Sequence, residues 1–317
     1  MNTLVFDIGG TAIKYGLCSD GEMICSYECP TEAWKGGPHI LETVCRIAEE
    51  FSAASAGSSG FQAIGISTAG QVNSEKGTII YANSNIPDYA GTPFKETLEK
   101  RFSVPVAIEN DVNSAAIGEA VYGAGREHPS FLCLTYGTGV GGAIIQDRQV
   151  YHGSSFSAGE FGGIVTHAEA KLAAKDVFDG CYERYASASA LVKMVSAYDP
   201  SLTNGRMIFE HMDCPEIKAI VDGWIDEILL GLVSLTHIFN PSCILLGGGI
   251  MAQPYIISEI RSRFPKMIMS SFAHVQIHAA SLGNTAGMLG ACYLAEQAVK
   301  SLPPCSAQPD TSITSPN

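Results

Sequence analysis

Residues 131 to 153 read FLCLTYGTGVGGAIIQDRQVYHG, and residues 3 to 28 read TLVFDIGGTAIKYGLCSDGEMICSYE. Each stretch runs as an apolar strand, a Gly/Thr turn, a second apolar strand, a polar turn and a short strand. The second turn falls at Asp20 in one and at Asp147 in the other, eleven residues past Gly9 and ten past Gly137. One supersecondary unit is used twice.

Between the two units, helical and strand patterns alternate. HILETVCRIAEEFSAA has helical apolar spacing and FQAIGIST reads as a strand. TPFKETLEKRF is expected to be a helix opened by Thr92 with Pro93 at its first position, and VPVAIEN is a strand. Beyond the second unit, apolar residues at Ile217, Ile220, Val221, Trp224, Ile228, Leu232 and Leu235 predict one long helix, and SCILLGGG returns to a strand. The expected architecture is α/β twice over.

With 317 residues, 46% of them hydrophobic, the chain can bury two cores around a cleft. A net charge of −13 argues against a nucleic-acid partner, since that affinity is built from Lys and Arg on phosphates. The ten cysteines are scattered and no secretory signal precedes them, so they read as reduced thiols of a cytoplasmic protein. The longest apolar stretches fall short of the roughly 20 residues that a membrane span requires, and no membrane partner is expected. After about Lys300 the composition turns to Ser, Pro and Thr, and residues 301–317 are expected to be a disordered tail.

Gly9, Gly10 and Thr11 can offer several backbone N–H groups to one phosphate, or can form a plain hairpin turn. GTGVGG at 137 to 142 supplies a second such loop, so two turns could grip a phosphate chain from both sides. The GGG at 247 to 249 is then left for close backbone approach to a base or ribose. Neither loop has the spacing of a P-loop or a dinucleotide fingerprint, which lead from strand into helix. Asp111, in IENDVNSAAIGEA, either caps the helix that starts at Val112 or, standing at a strand end between phosphate loops, accepts a hydroxyl proton in phosphoryl transfer. Glu160 and Glu183 are surface acids, or Glu160 hydrogen-bonds ligand hydroxyls. For Glu160, the flanking Gly159, Gly162 and Gly163 suggest a mobile loop.

In sequence order, DIGGT, ISTAG, IENDVN, GTGVGG, AGEFG, CYERYAS, GGGI and GNTAGMLGA resemble the signature segments of the ROK family, which groups bacterial sugar kinases with sugar-responsive repressors. The likeness runs over about residues 3 to 298. It implies the duplicated, actin-like hexokinase (ribonuclease H-like) ATPase fold with two domains around a cleft. The expected division is residues 1–117, completed by the C-terminal helix 285–300, and a larger domain of residues 118–284. The resemblance assigns Asp111 as catalytic base and Gly70, Asn110, Asp111, Glu160 and Glu183 to the sugar. It assigns Asp7, Gly9, Gly10, Thr11 and Lys14 to one phosphate segment and Gly137, Thr138 and Gly139 to the other, with Gly248 and Gly249 also on the nucleotide side. ATP and Mg²⁺ are the implied cofactors, with Asp7 ordering the metal's water shell. A homodimer is the expected assembly.

Two departures bear on metal and substrate. The family's zinc-binding His, three residues after the glutamate, is here Gly163, and of its run of cysteines only Cys181 survives. His167 and Cys181 supply two ligands where structural zinc takes four, so no zinc is expected. Zinc-less members of the family that this chain resembles include N-acetylmannosamine kinases and β-glucoside kinases, which places those substrates ahead of free glucose. A glucokinase and a non-catalytic sugar-responsive regulator are the alternatives. Against the regulator, Asp7 lies six residues from the start, which leaves no room for a preceding helix-turn-helix.

Overall fold

The computed structural model describes residues 1–54, 60–82 and 84–302. Its first half contains β1 (Thr3–Ile8), β2 (Ala12–Ser19), β3 (Glu22–Pro30), α1 (Gly37–Ala54), β4 (Ala63–Thr68), the hairpin β5 (Gln71–Asn73) and β6 (Thr78–Tyr81), α2 (Phe94–Phe102), β7 (Val106–Asn110) and α3 (Asp111–Tyr122). The second half opens with β8 (Phe131–Tyr136), β9 (Val140–Gln146) and β10 (Gln149–Val150). It continues through α4 (Ala168–Leu172), α5 (Glu183–Ala186), α6 (Ala188–Tyr198), α7 (Gly205–Glu210) and α8 (Pro215–Phe239). It closes with β11 (Cys243–Gly247), α9 (Pro254–Arg263), β12 (Gln276–Ala279) and α10 (Ala286–Lys300).

The sheets are ordered β3-β2-β1-β4-β7 and β10-β9-β8-β11-β12. In both, the first three strands in chain order are antiparallel and the next two are parallel. The repetition extends to the backbone of the second turn. Asp20 and Asp147 each have φ 51°, followed by Gly21 at 80° and Arg148 at 65°, the two positive values that a two-residue hairpin of right-handed twist demands. The duplication expected from the sequence is therefore a duplication of topology.

Each sheet has its own core. Phe6, Ile8, Ile40, Val44, Ile66 and Phe94 fill the first, while α8 lays Ile217, Val221, Trp224, Ile228, Leu232 and Leu235 into the second. The halves are joined by α3 and α10. These helices cross where Gly118 faces the Ala286 carbonyl and Gly290 faces the Ser114 carbonyl, with no room for a Cβ on either glycine. The fully buried carboxylate of Glu119 accepts from Ser281 N, Leu282 N, Ala124 N and Ser281 Oγ at 2.7 to 3.0 Å, tying α3 to the lead-in of α10. A buried carboxylate so surrounded by donors has its hydrogen-bonding capacity met without water. Through this junction α10 returns to pack on β1, β4 and β7.

Two local expectations change. The helix expected to open at Thr92 begins at Phe94 with Pro93 as its cap, because the Thr92 hydroxyl donates to Tyr89 O (2.7 Å) and is turned away from the helix amides. The cap of α3 is Asn110: its Oδ1 accepts from Val112 N (3.0 Å) and Asn113 N (3.1 Å), and Asp111 is the first helical residue. The tail expected from residue 301 lies outside the described residues from 303 on.

Candidate active site

Strand β7 ends at Asn110 and α3 starts at Asp111, so both side chains emerge at the C-terminal end of a parallel strand. Asn110 Nδ2 donates to Asp111 Oδ1 and to Gly70 O, both at 2.9 Å, while Val112 N also reaches Asp111 Oδ1 at 2.9 Å. One carboxylate oxygen is held in place and the other remains for a ligand. Burial, reinforced by the negative charge of Asp7, lifts the Asp111 carboxyl from 3.8 to about 6 against those hydrogen bonds. Asp7, on β1, is itself raised by burial and receives the Ser67 hydroxyl at 2.7 Å.

Behind this pair stands a second network. Glu109 is 2% exposed. Its Oε1 accepts from Asn110 N (2.8 Å) and Asn113 Nδ2 (3.0 Å), and its Oε2 meets His152 Nε2 at 2.6 Å. The hydrogen bond to Glu109 raises the His152 pKa despite partial burial. The consequence is a fixed junction between β7 and α3.

Asn110, Asp111, Gly137, Thr138, Gly139, Glu160, Glu183, Gly248 and Gly249 line one cavity of about 380 Å³. Glu183, raised by burial against a hydrogen bond from Val140 N, sits where a Cβ on Gly139 would stand, 2.6 Å from its Oε2. Gly248, at φ 97°, lies against the Tyr136 carbonyl, a position closed to any other residue both by conformation and by space. Glu160 Oε1 accepts from Gln71 Nε2 at 3.2 Å, and Gln71 Oε1 accepts from Ser157 Oγ at 2.8 Å. These contacts link the first half of the chain to the Glu160 loop. A second cavity of about 360 Å³ shares Gly248 and Gly249 and extends along Met251, Ala279 and Asn284.

The sequence model of the ROK family matches residues 3–298. The chain belongs to the ROK family. A β-glucoside kinase of Listeria innocua is 31% identical over 303 residues, 92% of this chain and 97% of its own. A ROK glucokinase from Streptomyces griseus, solved with glucose and AMPPNP, superposes with TM-score 0.78 at 31% identity, covering 94% of this chain and 100% of that one. A Listeria monocytogenes protein described as a candidate N-acetylmannosamine kinase superposes with TM-score 0.82 at 29% identity, covering 94% and 99%. The chain thus stands among the family's sugar kinases and shares their two-domain actin-like fold.

For this ROK chain, the cavity gathers most of the residues singled out from sequence, but not the first turn. Asp7, Gly9, Gly10, Thr11 and Lys14 are absent from its wall, and Gly10 and Thr11 are exposed. Gly70 is present through its carbonyl on Asn110. The glycines around Glu160 serve close packing more than motion: Gly159 lies against the Gly142 carbonyl and Gly162 against the Val140 carbonyl, seating the loop on β9. Sequence reading missed Gln71, Glu109 and His152. Glu109 stands inside the IENDVN segment and Gln71 directly follows ISTAG, but Gln71 is 89 residues from its partner Glu160 and nothing local marks that pairing.

His167 and Cys181 are committed elsewhere. The His167 ring stacks on Tyr185 at 3.6 Å with its Nε2 3.5 Å from Glu227, and Lys171 Nζ donates to Cys181 Sγ at 3.4 Å and to the Val177 carbonyl. Gly163 is exposed, with open space where a Cβ would stand.

Proposed function

We propose that the chain transfers the γ-phosphoryl group of ATP to the 6-hydroxyl of a hexose or hexosamine, with an N-acylmannosamine or a β-glucoside ahead of free glucose. The observation that carries this reading is Asp111: a half-buried carboxylate with its pKa raised to about 6, fixed on one oxygen, in the same cavity as the Gly137–Gly139 turn and two further glutamates. A base near pH 6 is ionised at neutral pH yet still proton-accepting, the condition that favours general-base catalysis.

In this proposal the hydroxyl donates to the free oxygen of Asp111. Its oxygen forms the new bond to Pγ as the Pγ–O bond to ADP breaks, and the proton passes to Asp111. Asn110, Glu160 and Glu183 hold the other hydroxyls, and with both donors and acceptors around it a sugar is fixed in orientation. The backbone amides of Thr138, Gly139, Gly248 and Gly249 donate to phosphate oxygens. Asp7, with one oxygen on Ser67, keeps the other for a water of Mg²⁺, an ion that when bound offsets the phosphate charge. Gly9, Gly10, Thr11 and Lys14 would join the phosphates only when the two halves close on a nucleotide. The domains are assigned as residues 1–117 with α10, and residues 118–284.

No zinc is proposed at the segment around Cys181. An ammonium group against the thiol and a stacked imidazole do not make a tetrahedral donor set. Gly163, exposed and outside the cavity wall where the family's His would stand, is proposed to leave room for a substrate bulkier than glucose, and the glucose-bound relative keeps glucokinase as the second reading. A cytoplasmic homodimer without nucleic-acid or membrane partners is part of the same proposal; the net charge of −13 supports the lack of a nucleic-acid partner, and no helix among the described residues is long and apolar enough to cross a membrane. A coupled ADP-release assay over a panel of sugars tests the proposal. ADP release that rises only with sugar, most with N-acetylmannosamine or a β-glucoside, is expected. Sugar binding without any sugar-dependent turnover would instead make the chain a regulator.

A further inference from the structure

Cys243 opens β11 at the end of the sheet opposite Gly247, four residues and roughly 13 Å of strand away from the catalytic cavity. Its thiol is fully buried, and two half-buried imidazoles converge on it: His278 from the edge strand β12 and His128 from the connection between α3 and β8. The three donor atoms all lie within 4.8 Å of one another. We propose that His128, Cys243 and His278 form a binding site for a zinc(II)-type transition-metal ion, separate from the catalytic cavity and from the Cys181 segment.

The hydrogen bonds fix the tautomer of each ring. Ser242 has one hydroxyl proton and gives it to Ser130 O at 2.8 Å, so towards His128 Nδ1, 3.1 Å away, it accepts. Nδ1 of His128 therefore carries the proton, which leaves the lone pair on Nε2. At His278, Arg261 can only donate: its Nη2 stands 3.4 Å from Nδ1, so the lone pair is there, and Nε2–H points to Gln276 Oε1 at 2.9 Å. In its neutral form each imidazole thus has one nitrogen anchored to an oxygen and the other free to bind a metal. Metal-ligating histidines are oriented in this way.

The geometry requires a small contraction. Ligands of tetrahedral zinc, at about 2.0 Å for nitrogen and 2.3 Å for sulfur, stand about 3.5 Å apart, so the rings must move in by about an ångström. The ring centroids are 5.9 Å apart and tilted by 42°, which leaves that movement open. Arg261 is held mainly by its Nε on Ile277 O at 2.7 Å, and its long contact with His278 is the one that the ion would replace. Two imidazoles and a thiol exclude Mg²⁺ and Ca²⁺, which take oxygen ligands, and leave the fourth position to water. The ion would join three separate segments at the base of the second sheet, a stabilising role with no part in phosphoryl transfer.

The test uses the full chain after treatment with a chelator. Zinc(II) titrated by calorimetry is expected to bind at one ion per chain and to raise the melting temperature. Cobalt(II) is expected to give a thiolate-to-metal charge-transfer band, which reads the sulfur directly. His278→Gln, at a half-exposed site, should weaken zinc binding by about a hundredfold or more, Cys243→Ser should abolish the cobalt band, and Ser242→Ala should weaken binding by about tenfold. Zinc at no more than background stoichiometry in the unaltered chain would overturn the site. So would binding that survives both Cys243→Ser and His278→Gln, or binding lost instead in Cys181→Ser.

Discussion

The two hairpin units share strand order and a matching second turn, yet their first turns stand in different surroundings. In the second unit, Gly137 N donates to Gly139 O (3.0 Å), Ser189 N donates to Gly137 O (3.3 Å), and the turn lines the cavity against Glu183. In the first, Gly9 N donates to Ala12 O (3.0 Å) and the Thr31 hydroxyl donates to Gly9 O (2.7 Å), so the turn is tied to the end of its own sheet and stays off the cavity wall. Duplication copies backbone geometry. Function depends on what each copy is packed against. The first copy's contribution nearest the chemistry is Asp7, felt by Asp111 through its charge.

The largest expected effect tests the residue that stands between the copies. Asp111→Asn should lower kcat by about 10² or more with sugar affinity nearly unchanged, since only the proton acceptor is lost. Steady-state rates and a sugar titration decide it, and a variant that retains most of its activity would assign the base elsewhere.

Next comes pH. With Asp111 near 6, kcat/KM should fall about tenfold per unit below that midpoint, and the midpoint should move lower in the residual activity of Asp7→Asn, because one neighbouring negative charge is gone. An unmoved midpoint would break the electrostatic link between the copies. Stability runs in the opposite direction. The folded pKa lies above the ordinary 3.8, so neutral Asp111 favours the fold. That contribution is complete below about 3.8 and is lost as pH rises through about 6.

The comparison of turns is sharpened by one substitution in each. Gly139→Ala drives a Cβ onto Glu183 Oε2, and the carboxylate must move. We expect kcat/KM for sugar to fall by about tenfold, with little change in melting temperature because a side-chain end yields easily. Gly10→Ala has open space around its Cβ, so stability should stay within about 0.5 kcal/mol. Its KM for ATP should rise by about threefold if the turn reaches the phosphates on closure. Equal effects on sugar kinetics in the two variants would mean that the two turns serve the site alike. The smallest expected effect is at Gly163→His, which should fold normally and bind no zinc at Cys181. It should lower kcat/KM for N-acetylmannosamine or a β-glucoside a few-fold more than for glucose, as a clash acts on the larger substrate. Equal proportional losses for all three sugars would remove Gly163 from specificity.

Much of the site was legible because its residues sit in short local patterns. Asn110 and Asp111 mark a strand-to-helix junction, and the glycines at 137, 139, 248 and 249 mark turns, of which those at Gly139 and Gly248 have no room for a side chain. The local pattern misled where a polar side chain had a competing partner. Thr92 was spent on Tyr89 O, and the cap of α3 came from Asn110. Glu109, His152 and Gln71 were not legible, since their partners arrive from other elements: His152 is 43 residues from Glu109.

By itself the sequence determined the duplicated α/β organisation, the order of strands and turns, and the family, because alternation of apolar residues and the punctuation of Gly, Thr and Asp act over a few residues. Only the tertiary structure decided that one phosphate-type turn lines the cavity while its copy does not, that Lys171 covers the Cys181 thiol, and that His128, Cys243 and His278 meet at the far end of the second sheet. Those outcomes depend on strand pairing and helix crossing between distant segments, such as β11 with β12 and α3 with α10 at Gly118 and Gly290. Local periodicity specifies which face of an element is buried; it carries no information about which distant side chain will stand opposite.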